Sequence, residues 1–132
     1  MYYTTHLVTG AAVGMLTGNP VRAFMYGLLS HVLLDAIPHH DHRKVRNCIL
    51  DIAVGTVLFA LVFFYWRHNQ AMLWGAVGGV IPDLEIPLYY FGLIRRRFFP
   101  SHNGWSPHTG AAPVRGALIQ MIFIIVGVWV LI

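Results

Sequence analysis

The sequence predicts an all-α integral membrane bundle of about five helices, with a polar His and Asp site near its cytoplasmic end. Three observations predict it. The 132 residues are 57% hydrophobic and 11% charged, against about 25% charged in an ordinary soluble domain, and mean hydropathy is +0.61. The apolar residues gather in five runs separated by short polar breaks. The few ionisable side chains in or beside those runs sit at ends that an alternating topology brings together.

One transmembrane helical domain, residues 1–132, is expected at this length. The N-terminal stretch MYYTTH has no basic region before its apolar run, so no cleavable signal peptide is expected. A single cysteine, Cys48, excludes an intrachain disulfide and a cysteine-only metal site.

The first run, residues 5–17, is short for a spanning helix at about 1.5 Å per residue, which suggests tilt or local thinning of the bilayer. Gly10, Gly14 and Gly18 recur there every four residues, a flat face for close helix approach within one chain or between copies in a homo-oligomer. Gly18-Asn19-Pro20 makes a turn, and Pro20 suits the start of the second run, residues 21–37. That run contains the stretch LLSHVLLDAIPHHD. It puts His31 and Asp35 four residues apart, on one helix face, with Gly27 one turn below. Pro38 stops the helix, and His39, His40, Asp41 and His42 follow in a single turn.

The third run, residues 48–66, is apolar apart from Asp51 in its first turn and ends in Phe63-Phe64-Tyr65-Trp66, suited to an interface belt. The fourth begins near Ala71 and meets Pro82-Asp83-Leu84-Glu85, where the helix should bend or break. Irregular backbone at membrane depth is tolerated only where protein or a wet cavity covers it. A long loop, residues 94–115, carries Arg95-Arg96-Arg97 and then Ser101-His102-Asn103-Gly104-Trp105-Ser106-Pro107-His108. Loops of that length are usually functional or disordered. The last run, residues 116–132, has no ionisable side chain and reads as a plain anchor.

If all five runs span, the N-terminus, the 38–47 break and the 94–115 loop share one side, with seven of the nine Lys and Arg residues. Arg22 and Arg67 are on the other. Basic excess marks the cytoplasmic face, which places the N-terminus inside and the C-terminus outside. A re-entrant hairpin of the first two runs would keep the basic loops together. His6, His31, Asp35, Asp51, Asp83, Glu85, His102 and His108 then all lie toward the inner end. Charged groups in lipid cost at least about 2.5 kcal/mol each, so such a cluster points to a functional site. Mixed His and carboxylate ligands suit a divalent cation, zinc first, with manganese or magnesium as alternatives.

The bland alternatives are specific. His31 and Asp35 could be a hydrogen-bonded packing pair, Asp83 could cap a helical piece after Pro82, and Asp51 and Glu85 could pair with interfacial arginines. Of His39 and His40, one is expected as a ligand, and His39 is the candidate carried forward. The Arg95 to Arg97 run is an orientation signal that could also hold a lipid phosphate.

The His6 opening with its Gly-rich helix, the Ser30-His31 and Asp35 helix, the Pro82-Asp83-Leu84-Glu85 element and the His102 to His108 loop together resemble the YdjM-like inner-membrane proteins. Those proteins are described as membrane-bound metal-dependent hydrolases. The resemblance implies a prokaryotic inner-membrane location. The family's fourth-segment element reads Pro-Asp-x-Asp-His and its loop His-Arg-Gly-x-Thr-His-Ser. Here Glu85, Ile86 and Asn103 stand at three of those positions, and His108 falls one residue late.

The expected chemistry is hydrolysis of a phosphoester or related bond in a membrane-associated, lipid-like substrate. His6, His31, Asp35, His39 and Asp83 are the candidate metal ligands, and His102 and Glu85 the candidate proton donor or acceptor. The alternatives are a small proton- or metal-ion-conducting protein and a structural membrane protein stapled by metal. The net charge of +4 is accounted for by orientation and anionic lipid, and no nucleic-acid module is present in the sequence.

Overall fold

The computed structural model describes residues 1–66, 68–106 and 109–132. Arg67, counted on the sparsely charged side, and Pro107 and His108, at the end of the long polar loop, lie outside the described residues. The described chain is helical, without strands; His39 and Gly110 make an isolated parallel bridge.

Helix α1 (Tyr3–Thr17) ends at Gly18, which takes the left-handed conformation with φ 63°. That is the conformation glycine tolerates best at a helix C-terminus. Helix α2 (Pro20–Ala36) starts on Asn19, whose side chain accepts from the backbone N–H of Arg22 at 3.0 Å. It stops just before Pro38, because the residue preceding a proline disfavours helical backbone. Helix α3 (Val45–Tyr65) begins three residues earlier than the apolar run suggests, so Asp51 lies in its second turn. Helix α4 (Gln70–Val80) is capped by Asn69, which accepts from Met72 N–H at 3.0 Å. The expected irregularity at Pro82 is a 3-10 turn, Ile81–Leu84, leading into α5 (Glu85–Tyr90). A short helix α6 (Pro100–Asn103) lies within the long loop, and α7 (Pro113–Leu131) closes the described chain.

Three helical stretches are long and apolar enough to cross a membrane: Val45–Tyr65, Gln70–Tyr90 and Pro113–Leu131. At 15 and 17 residues, α1 and α2 are shorter than the roughly 20 residues a span requires. Much of the apolar character of α1 serves the protein interior. Its Leu7, Val8, Ala11 and Ala12 form the core with Met72, Ala76 and Leu131. By contrast α3 buries only Gly55 among its residues and exposes Ile49, Leu50, Val57 and Leu61.

Glycine sets the helix spacing. Gly10 and Gly14 of α1 and Gly27 of α2 all meet α4, where Gly75, Gly78 and Gly79 leave room for their backbones. A methyl group on Gly75 would lie 2.6 Å from the Cα of Gly14, closer than packed carbon atoms come. The flat face expected on α1 is therefore filled inside the chain by α4. Gly18 takes no part in it, since nothing lies within 4 Å of where its Cβ would be.

Three tight helices, with α3 and α7 laid against α1, bring alternate ends together. The starts of α1, α3 and α7 meet the ends of α2 and α4.

Candidate metal centre

On α2, the one-turn spacing of His31 and Asp35 puts ring Nε2 3.2 Å from carboxylate Oδ2, with both side chains buried. From α1, His6 stacks on His31 with ring centroids 3.9 Å apart. Its Nε2 is 3.2 Å from Asp35 Oδ1. The 3-10 turn after α4 supplies Asp83, with Oδ1 3.8 Å from His31 Nε2. From α6, His102 brings Nε2 to 3.6 Å from Asp83 Oδ1 and 3.7 Å from Asp35 Oδ2.

Among the described residues two overlapping triads result, His6 with His31 and Asp83, and His31 with Asp35 and His102. In each, the donor atoms lie within 4.8 Å of one another. Both ring nitrogens of His6 and Nε2 of His31 are buried without a well-formed hydrogen bond. Buried polar atoms are rarely left so. Imidazole nitrogens and carboxylate oxygens are the donors that zinc and similar ions take, so this set fits a divalent cation.

Surrounding groups aim the rings. His31 Nδ1 lies 2.8 Å from the carbonyl oxygen of Gly79. A carbonyl only accepts, so Nδ1 carries the hydrogen and Nε2 is the ring atom turned toward the carboxylates, free to offer its lone pair to a bound cation. His102 Nδ1 faces Glu85 Oε1 at 3.4 Å, an ion-pair contact without a well-formed hydrogen bond, and Nε2 is the ring atom on the cluster side. Such outer partners fix the tautomer and orientation of metal-binding histidines. Glu85 is itself buried. It accepts from the backbone N–H groups of Phe98 and Phe99, the latter at 3.1 Å, and so ties the loop to α5. Its carboxylate stands behind His102, on the side away from Asp83 and Asp35. Burial holds the His102 ring below the ordinary imidazole value, keeping it neutral near pH 7.

The structure thus brings His6, His31, Asp35, Asp83 and His102 together and places Glu85 behind them. His39 is buried but set apart from both triads. Its Nδ1 donates to the Ile37 carbonyl at 2.7 Å, and its Nε2 is 3.3 Å from Asp41 Oδ1. The amino group of Met1 lies between these regions, 3.2 Å from Asp35 and 2.8 Å from Asp41.

Asp51 caps a helix across the bundle. It accepts from Tyr3 N–H at 2.7 Å, from Thr4 N–H at 3.3 Å and from the Thr4 hydroxyl at 2.6 Å. These are donors at the first turn of α1, which has no cap of its own from Tyr2. His6 is one turn further on.

Gln120 is a further polar link that no sequence motif announces. Fully buried in α7, it accepts from Tyr2 N–H at 2.6 Å and donates to the carbonyl of His40 at 2.9 Å. It joins α7 to both segments that flank the site. The available signal was a lone amide inside an otherwise apolar helix.

A cleft of about 640 Å³ opens against the cluster, reached by Asp83 and His102 and walled elsewhere by Ile52, Ile86, Arg97 and Ser101. Comparison with protein-family models, with curated proteins and with solved structures returned no match.

Proposed function

We propose that the chain is a membrane-embedded, metal-dependent hydrolase acting on a phosphoester or related bond of a lipid-like substrate. One observation carries the proposal. Buried ring nitrogens without hydrogen bonds, on His6 and His31, converge with Asp35 and Asp83 beside an open cleft. A purely structural histidine network would satisfy its ring nitrogens within the protein.

In this scheme His6, His31, Asp35 and Asp83 hold the ion. A divalent cation bound there supplies Lewis acidity toward a phosphoryl or acyl oxygen. His102, which borders both cluster and cleft, holds or moves a proton at Nε2. Glu85 acts through it, fixing the ring from behind. The apolar spans anchor the protein in a prokaryotic inner membrane with the site at the cytoplasmic leaflet. Support for that orientation is the placement of seven of nine basic residues on the site side. The resemblance to the YdjM-like proteins points the same way.

Ion conduction has less support. Beyond the cluster the interior is filled mainly by Leu7, Val8, Ala11, Ala12, Met72 and Ala76, a stretch in which the Thr9 hydroxyl offers a permeating ion little coordination.

The test is elemental analysis of the detergent-purified protein, followed by phosphate release from phosphatidate in mixed micelles. Wild type should carry near-stoichiometric divalent ion, and His31→Ala and Asp35→Ala should each lose it together with hydrolysis. Folded wild type that takes up neither zinc, manganese nor magnesium would overturn the proposal. Ion uptake without hydrolysis of lipid phosphoesters would leave the metal as a structural staple.

A further inference from the structure

The cleft beside the cluster has a lining of two unlike kinds. Its polar lining includes Asp83 and His102 of the metal centre, the cationic Arg97, and Ser101, whose hydroxyl is buried without a hydrogen-bond partner. Ser101 is 4% exposed. A hydroxyl held there without a partner can donate to an arriving oxygen anion. Arg97 adds a counter-charge, held in place over the ring of Tyr89, 5.4 Å from its centroid.

The cleft is also lined by apolar groups, Ile52 of α3 and Ile86 and Pro87 of α5. The principal packing of α3 is on α1, and that of α5 is on the 3-10 turn before it, so no substantial helix contact closes the space between α3 and α5. Both helices belong to stretches apolar enough to cross a membrane. A gap between two such helices opens sideways, toward acyl chains.

We propose that this cleft is a lateral entry for a lipid with an anionic phosphate headgroup. The phosphate sits between Arg97 and Ser101 at the edge of the metal centre, and the acyl chain leaves between Ile52 and Ile86. Asp41 and Asp51 also border the cleft. Asp41 is paired with the Met1 amino group and His39, Asp51 with the start of α1, and Asp83 with the histidines of the metal centre, so the cation left to meet the headgroup is Arg97. A free phosphate ion would use Arg97 and Ser101 but would have no use for the apolar gap. The proposal deepens the hydrolase reading and rests on it for the chemistry at the headgroup.

Native mass spectrometry tests it, on full-length protein released from detergent with dioleoyl phosphatidate, dioleoyl phosphatidylcholine or inorganic phosphate, with ion content measured on the same samples. Wild type should retain phosphatidate in preference to phosphatidylcholine, and inorganic phosphate at equal concentration should not displace it. Arg97→Ala should weaken retention about tenfold, the scale of one charged hydrogen bond. Ile86→Trp, or Ile52→Trp should the first fold poorly, should weaken it comparably by filling the gap, and ion content should not change. Equal retention of both lipids, indifference to these substitutions, or displacement by inorganic phosphate would overturn the lateral route. If the ion is present in those samples, the hydrolase reading survives that failure. Selective phosphatidate retention by a chain that never carries an ion would support the route and overturn the hydrolase reading instead.

Discussion

His31 Nδ1 lies 2.8 Å from the carbonyl oxygen of Gly79, so a ring on α2 is aimed by the backbone of α4. The same glycine lies against the carbonyl of His6, with no room for a methyl group between them. Two ligand candidates are thus set by one residue that has no side chain. Gly79→Ala should push α1 away from α4 and misplace both rings. A loss of stability of about 1–3 kcal/mol, typical of overpacking, is expected with at least about tenfold weaker ion retention, the scale of an outer-partner loss. Gly110→Ala, at a position with open space around it, is the control. Thermal unfolding in detergent and chelator competition read the two effects, and equal behaviour of the two variants would refute the account.

Glu85 fastens the loop before α6. Glu85→Gln keeps the volume but removes the charge that receives the Phe98 and Phe99 amides. Hydrogen exchange at those two amides should accelerate by about tenfold or more, since a hydrogen bond to a charged group contributes about 1.5–3 kcal/mol. Exchange within α1 should not change. Unaltered protection at Phe98 and Phe99 would show that the loop is held by other contacts.

Asp51→Ala should strand three donors at the first turn of α1, the amides of Tyr3 and Thr4 and the Thr4 hydroxyl. The expected loss is about 1–3 kcal/mol, seen as a lower melting temperature. Asp51→Asn should recover part of it by still accepting a hydrogen bond. An Asn variant no better than Ala would mean that charge at the helix start, rather than hydrogen bonding, carries the effect.

Acid should weaken the ion-free protein through His102. Burial holds the folded ring below the ordinary value of 6.5. Between that value and the lower folded one, the unfolded chain binds the extra proton and the folded chain does not. Stability from this group therefore falls as pH drops below 6.5 and is unaffected above it. Melting temperatures of the chelator-treated protein at pH 8, 7, 6 and 5 should be level at first and then decline, and His102→Gln should decline less steeply. Identical slopes for the two proteins would remove His102 as the source.

Much of the site was legible because spacing alone places some groups. His31 and Asp35 had to share a helix face, and an alternating topology had to bring His6 and Asp83 to the same end. Pro82 marked the 3-10 turn that presents Asp83. What escaped depends on partners distant in sequence. Glu85 looked like a proton donor until its carboxylate was seen to face the Phe98 and Phe99 amides, and Asp51 looked interfacial until the start of α1 was found on it. The shortness of the first run was legible, and with it a tilted or re-entrant alternative to a full span, while the second run gave no such sign. An apolar run does not distinguish lipid from protein as its surroundings, and α1 turned out to be surrounded by protein. Gln120 was missed because an uncharged amide barely interrupts a hydropathy pattern, although it links three segments.

The donors of the cluster come from widely separated points along the chain: His6 in α1, His31 and Asp35 in α2, Asp83 after α4, and His102 in α6. During synthesis, α1, α2 and α4 can dock on their glycine faces while the ribosome is still making the 94–115 loop. The centre stays open on the His102 side until α6 emerges. The four groups proposed to hold the ion are therefore all synthesised before α6, and the docking of α6 adds His102 beside them and covers the centre from that side.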